Sequence, residues 1–177
     1  MNTWSELITQ TLNELGCIEN LSIAIVGIGY EYGGDDAAGT AVAQTLIEKY
    51  SLEINQRFLI INSGVAPENF TGTLRRFKPD VVILVDSAQM DEEPGTIQWL
   101  NWRDTSGMAS VTHSLPPYML AQYLSAEVGC EVYLLGIQPA TNQFGSVMSQ
   151  EVAQAVGEIS QTLANLVIIP GQCHYNR

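Results

Sequence analysis

The 177-residue sequence is short of basic side chains and of histidine. It contains seven Lys and Arg residues against 19 Asp and Glu, two histidines, and a formal net charge of −12. Nucleic acids and anionic lipids attract proteins through Lys and Arg, so this balance argues against both as partners. The acidity permits a cationic partner, although solubility alone is an equally good explanation of it.

Long apolar runs and paired cysteines are also missing. No apolar stretch reaches the roughly 20 residues that a membrane-spanning helix needs. The segment from Met1 to Leu15 lacks the basic start and the unbroken apolar core of a signal peptide. The three cysteines are scattered and form no Cys-x-x-Cys pair, which predicts reduced thiols. These absences predict a cytoplasmic protein without membrane contact, and we expect a monomer.

Strand-like and helix-like segments alternate along most of the chain. Apolar runs predict strands at residues 21–28, 58–61, 81–85 and 131–136. Helical periodicity and capping residues predict helices that begin near residues 4, 36, 67, 114 and 150. The strand-like segment from Thr96 to Trp102 follows Asp86 too closely for a crossover helix, so we expect it to run antiparallel.

This alternation predicts the fold class α/β. We expect a single-domain, doubly wound sheet that is mostly parallel, with one antiparallel strand and helices on both faces. The domain spans residues 1–177, with an extra N-terminal helix in 1–20 and a tail at 170–177. No repeat or Pro-, Gly- or Ser-rich linker divides it.

A glycine-rich turn from Gly27 to Gly34 follows the first predicted strand and continues into Asp35 and Asp36. A Gly-x-Gly pair at this place is a weak sign of dinucleotide binding. Here two carboxylates already occupy the helix N-terminus at which a phosphate would bind. The sequence therefore argues against a nucleotide and against a flavodoxin-like electron carrier. One aspartate is interpreted as a helix cap, and the second favours a cationic partner.

Asp86 ends the third predicted strand. If the strand order is 2-1-3, strands one and three are neighbours, and the loops that carry Asp36 and Asp86 meet where the order reverses. His113 stands just before a predicted helix, where neutral imidazole is favoured. Two carboxylates and one imidazole suit nickel, zinc, manganese or iron. The spacing leaves open whether they form a site, because an aspartate can cap a loop and a lone histidine can be a surface group.

Sequence signatures of a nucleophilic hydrolase are absent. The chain has no Gly-x-Ser-x-Gly elbow, no His-Glu-x-x-His motif, and no cysteine with an evident histidine and acid partner. Ser63 follows the second strand and can bond a passing peptide, but it is more simply interpreted as a turn serine. A non-catalytic module that senses metal or peptide at the same crevice is therefore the alternative function.

Six motifs occur in order between Ile23 and about Leu163. They are Gly27-Ile28-Gly29 with Gly34-Asp35-Asp36-Ala37-Ala38-Gly39, Ser63-Gly64-Val65-Ala66-Pro67-Glu68-Asn69, Leu84-Val85-Asp86-Ser87-Ala88, Pro94-Gly95-Thr96-Ile97, Thr112-His113-Ser114-Leu115-Pro116, and Leu135-Gly136-Ile137-Gln138-Pro139. Together they resemble the hydrogenase maturation endopeptidases, especially the formate-hydrogenlyase-linked branch.

The resemblance implies an endopeptidase that removes the C-terminal extension of a nickel-loaded hydrogenase large-subunit precursor. It implies that Asp36, Asp86 and His113 recognise the nickel and take part in catalysis. The nickel belongs to the substrate, so we expect no tightly bound cofactor. Two residues depart from the family pattern, since Tyr30 stands where asparagine is usual and Asn62 where aspartate is usual.

Overall fold

The computed structural model describes residues 3–51, 57–104, 117–141, 143 and 145–168. Within them lies one five-stranded sheet of order β2-β1-β3-β5-β4. Its strands are β1 (Ile23–Ile28), β2 (Phe58–Gly64), β3 (Val81–Ser87), β4 (Ile97–Asn101) and β5 (Glu131–Ile137). All neighbouring pairs are parallel except β4 with β5, which is antiparallel. The predicted sheet, its antiparallel strand and the neighbourhood of β1 and β3 are confirmed.

Helices cover both faces of the sheet, as the alternation predicts. They are α1 (Trp4–Leu15), α2 (Ala38–Tyr50), α3 (Thr71–Phe77), α4 (Pro117–Glu127) and α5 (Gln150–Ile168). The apolar residues of α1, α2 and α5 share one buried cluster, and those of α3 and α4 share the other. Alternate residues of β1 enter the two clusters, which is why its sequence is continuously apolar.

The N-terminal helix α1 is part of the core. Thr3 and Glu6 form a reciprocal capping box at its start, which satisfies N–H groups that the helix itself leaves unpaired. Ile8 and Leu12 are fully buried, and the indole of Trp99 on β4 donates a hydrogen bond to the Thr11 hydroxyl at 3.1 Å. This helix therefore packs against β4, the outermost strand on one side of the sheet.

The prediction of reduced thiols is wrong for one cysteine. Cys130 is a buried free thiol, whereas Cys17 is disulfide-bonded. The sequence pattern misses this bond because cysteine spacing reports only pairs that are close along the chain. None of the described helices is long and apolar enough to cross a membrane.

Candidate functional site at the carboxyl edge of the sheet

Asp86 lies near the end of β3 and has 0% of its surface exposed. Its neighbour Val85 pairs with Gly27 on β1, and Asp86 itself pairs with Gly136 on β5. Asp86 is therefore one position beyond the last β1–β3 pair. It lies at the carboxyl edge of the sheet, where the parallel strands end. Strand alternation turns its side chain away from the α2 face and towards the face of α3 and α4.

Asp36 lies in a short 3-10 helix, Gly34–Ala37, between β1 and α2. Its carboxylate Oδ2 accepts a hydrogen bond from the backbone N–H of Tyr30 at 2.9 Å. The side chain is partly exposed. This short helix contacts β3, so the loop with Asp36 and the strand with Asp86 meet at the same edge.

Close packing explains two glycines near this edge. A methyl group on Gly29 would lie 1.9 Å from the Asp36 carbonyl oxygen, and one on Gly39 would lie 2.0 Å from the Val85 carbonyl oxygen. Neither distance is possible for real atoms, so only glycine fits. Gly39 lets the start of α2 reach β3 directly before Asp86. The glycine-rich turn thus serves to bring the two aspartates to one edge.

Asp35 is completely buried and performs a different task from its neighbour. Oδ2 accepts hydrogen bonds from the N–H groups of Ala140 at 2.8 Å and Thr141 at 3.1 Å, and Oδ1 accepts one from Ser149 at 2.7 Å. The short helix has Gly33 at its N-cap and α2 has Ala37, and neither helix is capped by a side chain. The interpretation of one aspartate as a cap of its own helix is therefore wrong. Asp35 instead fastens the loop between β5 and α5.

Gln138 organises the loop between β3 and β4 in a similar way. Its buried Oε1 accepts hydrogen bonds from the N–H groups of Met90 at 2.7 Å and Glu92 at 3.3 Å, and its Nε2 donates to the Pro139 carbonyl at 3.2 Å. The Gly95 N–H donates to the Gln138 carbonyl at 2.8 Å. Sequence reasoning assigned Gln138 no role, although a glutamine directly after a buried strand is a usable signal.

His113 lies outside the described residues. It precedes Pro117, the first residue of α4, by four positions. Among the residues that the structure describes, no three His, Cys, Asp or Glu side chains are grouped so as to hold a metal ion. Asp36 and Asp86 therefore lie at the same carboxyl edge of the sheet. A metal-binding set of Asp36, Asp86 and His113 stays a prediction.

The comparison with known proteins decides the family. A family model described as a hydrogenase maturation protease (HycI) matches residues 40–166. The chain belongs to the hydrogenase maturation protease family. The match includes Asp86 and begins four positions after Asp36. Membership makes this chain a peptidase.

Individual hydrogenase maturation proteases are similar to this chain over most of its length. The hydrogenase 3 maturation protease of Escherichia coli is 33% identical over 137 residues, which are 77% of this chain and 85% of that protein. A putative hydrogenase maturation protease of Methanocaldococcus jannaschii is 32% identical over 150 residues, covering 82% and 88%. The crystal structure of a nickel–iron hydrogenase maturation protease from Thermococcus kodakarensis superposes with a TM-score of 0.75 at 31% identity, covering 84% of this chain and 93% of that one.

In this maturation protease, Ser63 and Asn62 make structural contacts. The Ser63 hydroxyl donates to the Gly27 carbonyl at 2.8 Å and is buried, which agrees with a turn serine. Asn62 is exposed, and its Nδ2 donates to Gln44 on α2 at 3.2 Å. Asn62, where the resemblance implies an aspartate, thus contacts the side of α2.

Cys130 is unsuited to nucleophilic catalysis. It lies directly before β5, at the end of the sheet opposite to Asp86. Burial raises the pKa of its thiol to about 11, so the reactive thiolate is scarce at neutral pH. Both its position and its raised pKa therefore argue against a role for Cys130 in catalysis.

Proposed function

We propose that this maturation protease removes the C-terminal extension of a nickel-loaded nickel–iron hydrogenase large-subunit precursor. In this proposal Asp36, Asp86 and His113 bind the nickel of the substrate and so position the scissile peptide in the crevice. The observation that carries it is the convergence of the Asp36 loop and the buried Asp86 where the strand order reverses, between β1 and β3. Crevices of this kind bind ligands in open α/β sheets.

The donor set suits a divalent transition metal held by the substrate. Ionised carboxylates are pure acceptors, and nickel is bound by imidazole and oxygen ligands. The N–H of Tyr30 fixes one oxygen of Asp36. A buried carboxylate such as Asp86 interacts more strongly with a cation than one in water does, because the effective dielectric constant is lower.

Hydrolysis in this proposal uses water and a carboxylate base. Water adds to the scissile carbonyl carbon after a carboxylate accepts one of its protons, the carbon–nitrogen bond breaks, and the proton passes to the departing nitrogen. Nickel at the site can polarise the carbonyl or serve only as the feature that is recognised. Reading nickel before cleavage makes processing a checkpoint, since an unloaded precursor lacks the ligand for Asp36, Asp86 and His113.

The test is incubation of the protein with matched nickel-loaded and nickel-free large-subunit precursors, followed by intact mass spectrometry. We expect loss of a C-terminal fragment from the nickel-loaded precursor alone. Equal cleavage of both would contradict nickel recognition. No cleavage of a precursor that a related protease processes would favour the non-catalytic binding module. We further propose that the protein acts as a cytoplasmic monomer, which size-exclusion chromatography and cell fractionation test.

A further inference from the structure

Two exposed tyrosines lie in the glycine turn beside Asp36, and an exposed valine lies on each of two loops that contact this turn. Tyr30 is 37% exposed, Tyr32 68%, Val65 45% and Val147 91%. The rings of Tyr30 and Tyr32 meet edge to face with centroids 5.8 Å apart. We call these four residues the aromatic rim. They are four of the seven large hydrophobic residues that are exposed in the described part of the chain.

The rim comes from three loops that are joined to the same turn. The Gly29 N–H donates to the Gly64 carbonyl at 3.0 Å, directly before Val65. Gly34 packs so closely on Ser146 that an added methyl group would lie 2.3 Å from its hydroxyl, directly before Val147. Asp35 holds both ends of that last loop. The loops that carry the rim are therefore fastened to the turn that leads into Asp36.

The rim is also continuous with the proposed nickel-binding carboxylate. The backbone N–H of Tyr30 is hydrogen-bonded to Asp36 Oδ2 at 2.9 Å. A macromolecule that presents a metal ion to Asp36 must therefore bring its own surface against the tyrosine turn. Tyrosine offers a large rigid contact area at low entropic cost and is enriched among residues that dominate binding energy.

We propose that the aromatic rim docks apolar side chains of the large-subunit precursor beside its nickel, with Tyr32 as the principal specificity-determining residue. This inference rests on the proposed function. The rim acts in binding, since it lies outside the carboxylates that would act on the peptide. Its loss should therefore weaken precursor binding and leave the chemical step intact.

The first test compares processing kinetics of the wild-type protein with Tyr32→Ala, Tyr32→Phe and the control Tyr123→Ala, at varied concentrations of nickel-loaded precursor. Tyr123 is a suitable control because it is 40% exposed on α4. Its hydroxyl accepts a hydrogen bond from Arg75, near the end of α3 and shortly before the start of β3, whereas Asp86 lies near the end of β3. We expect Tyr32→Ala to raise KM about tenfold with kcat unchanged. Tyr32→Phe keeps the aromatic area and should stay within about twofold of wild type.

The second test replaces Tyr32 or Tyr123 by the photo-crosslinking residue p-benzoylphenylalanine in the presence of precursor. We expect a crosslink to the precursor from position 32 and none from position 123. Crosslinking of position 32 mainly to a second copy of this chain would overturn the proposal, as would an unchanged KM in Tyr32→Ala. Where the wild type processes precursor and Asp36→Asn does not, either of these two results contradicts only the role of the rim and leaves the proposed function standing. If the wild type processes none, the proposed function fails and this inference with it.

Discussion

The carboxylate of Asp35 accepts a hydrogen bond from the N–H of Ser149 at 2.7 Å, although the two residues are 114 positions apart. Ser149 directly precedes α5, and its hydroxyl accepts a bond from Val152 in the first turn of that helix. One buried acid beside the candidate site therefore fixes where the last helix begins. Its neighbour Asp36 takes no part in this and accepts a hydrogen bond from the N–H of Tyr30 in the glycine turn.

The variant Asp35→Asn should destabilise the fold. Three N–H groups point at the two carboxylate oxygens of Asp35, and an asparagine would place an NH₂ donor against at least one of them. We expect a loss of about 2–4 kcal/mol in the free energy of unfolding, measured by urea denaturation. Glu158→Gln is the control, because Glu158 is an exposed residue of α5. A loss no larger than that of the control would contradict this role.

The variants Asp36→Ala, Asp86→Ala and His113→Ala should yield folded protein that fails to process the precursor. Removing a ligand or a general base typically lowers such rates by about 10²–10⁴-fold. Mass spectrometry of nickel-loaded precursor measures the rate, and circular dichroism verifies the fold. Full activity in all three variants would overturn the site assignment. Asp35→Ala should slow processing less at temperatures where it stays folded, and an equal loss there would mean that the wrong aspartate is assigned.

The variant Gln138→Leu should loosen the loop between β3 and β4. Leucine leaves the part-buried N–H groups of Met90 and Glu92 without their present acceptor, at a cost of at most about 1–3 kcal/mol each and less where water replaces it. Hydrogen exchange at residues 89–96 should become faster in the folded protein. Gln154→Ala, an exposed change on α5, serves as the control. Unchanged exchange would show that Gln138 does not hold the loop.

The variant Cys130→Ala should process precursor at the wild-type rate, because its thiol lies far from the proposed chemistry. Burial raises the Cys130 pKa from 9.0 to about 11, so the folded protein holds the proton more tightly than the unfolded chain does. This contribution to stability is complete below about pH 9 and declines as the pH rises from about 9 to about 11.

Urea denaturation of the wild type and Cys130→Ala across this range measures that decline, which should be smaller in the variant. At neutral pH, an alkylating reagent should modify Cys130 only after unfolding. Rapid alkylation of Cys130 in the native protein, or loss of processing in the variant, would contradict its assignment as an inert core thiol.

Local patterns determined the architecture. Continuous apolar runs marked β1 and β3, because a strand covered on both faces carries no polar positions. The short span between Asp86 and Thr96 left no room for a crossover helix, which predicted the antiparallel β4. Strand order then brought the loops of Asp36 and Asp86 to one edge. Each of these steps depends on residues that are close along the chain or on general rules of sheet topology.

Only the tertiary structure decided what the individual polar residues at that edge do. Asp35 and Asp36 are adjacent in sequence, yet one binds amides more than 100 positions away and the other binds Tyr30 in its own turn. The hydrogen bonds of Gln138 and the disulfide of Cys17 likewise could not be predicted from the spacing of residues along the chain. A hydrogen bond or a disulfide depends on distance in space, and sequence reports that distance only between near neighbours. The sequence thus determined the sheet and the edge at which the candidate site lies, whereas the partners of Asp35, Asp36 and Gln138 were decided by the tertiary structure.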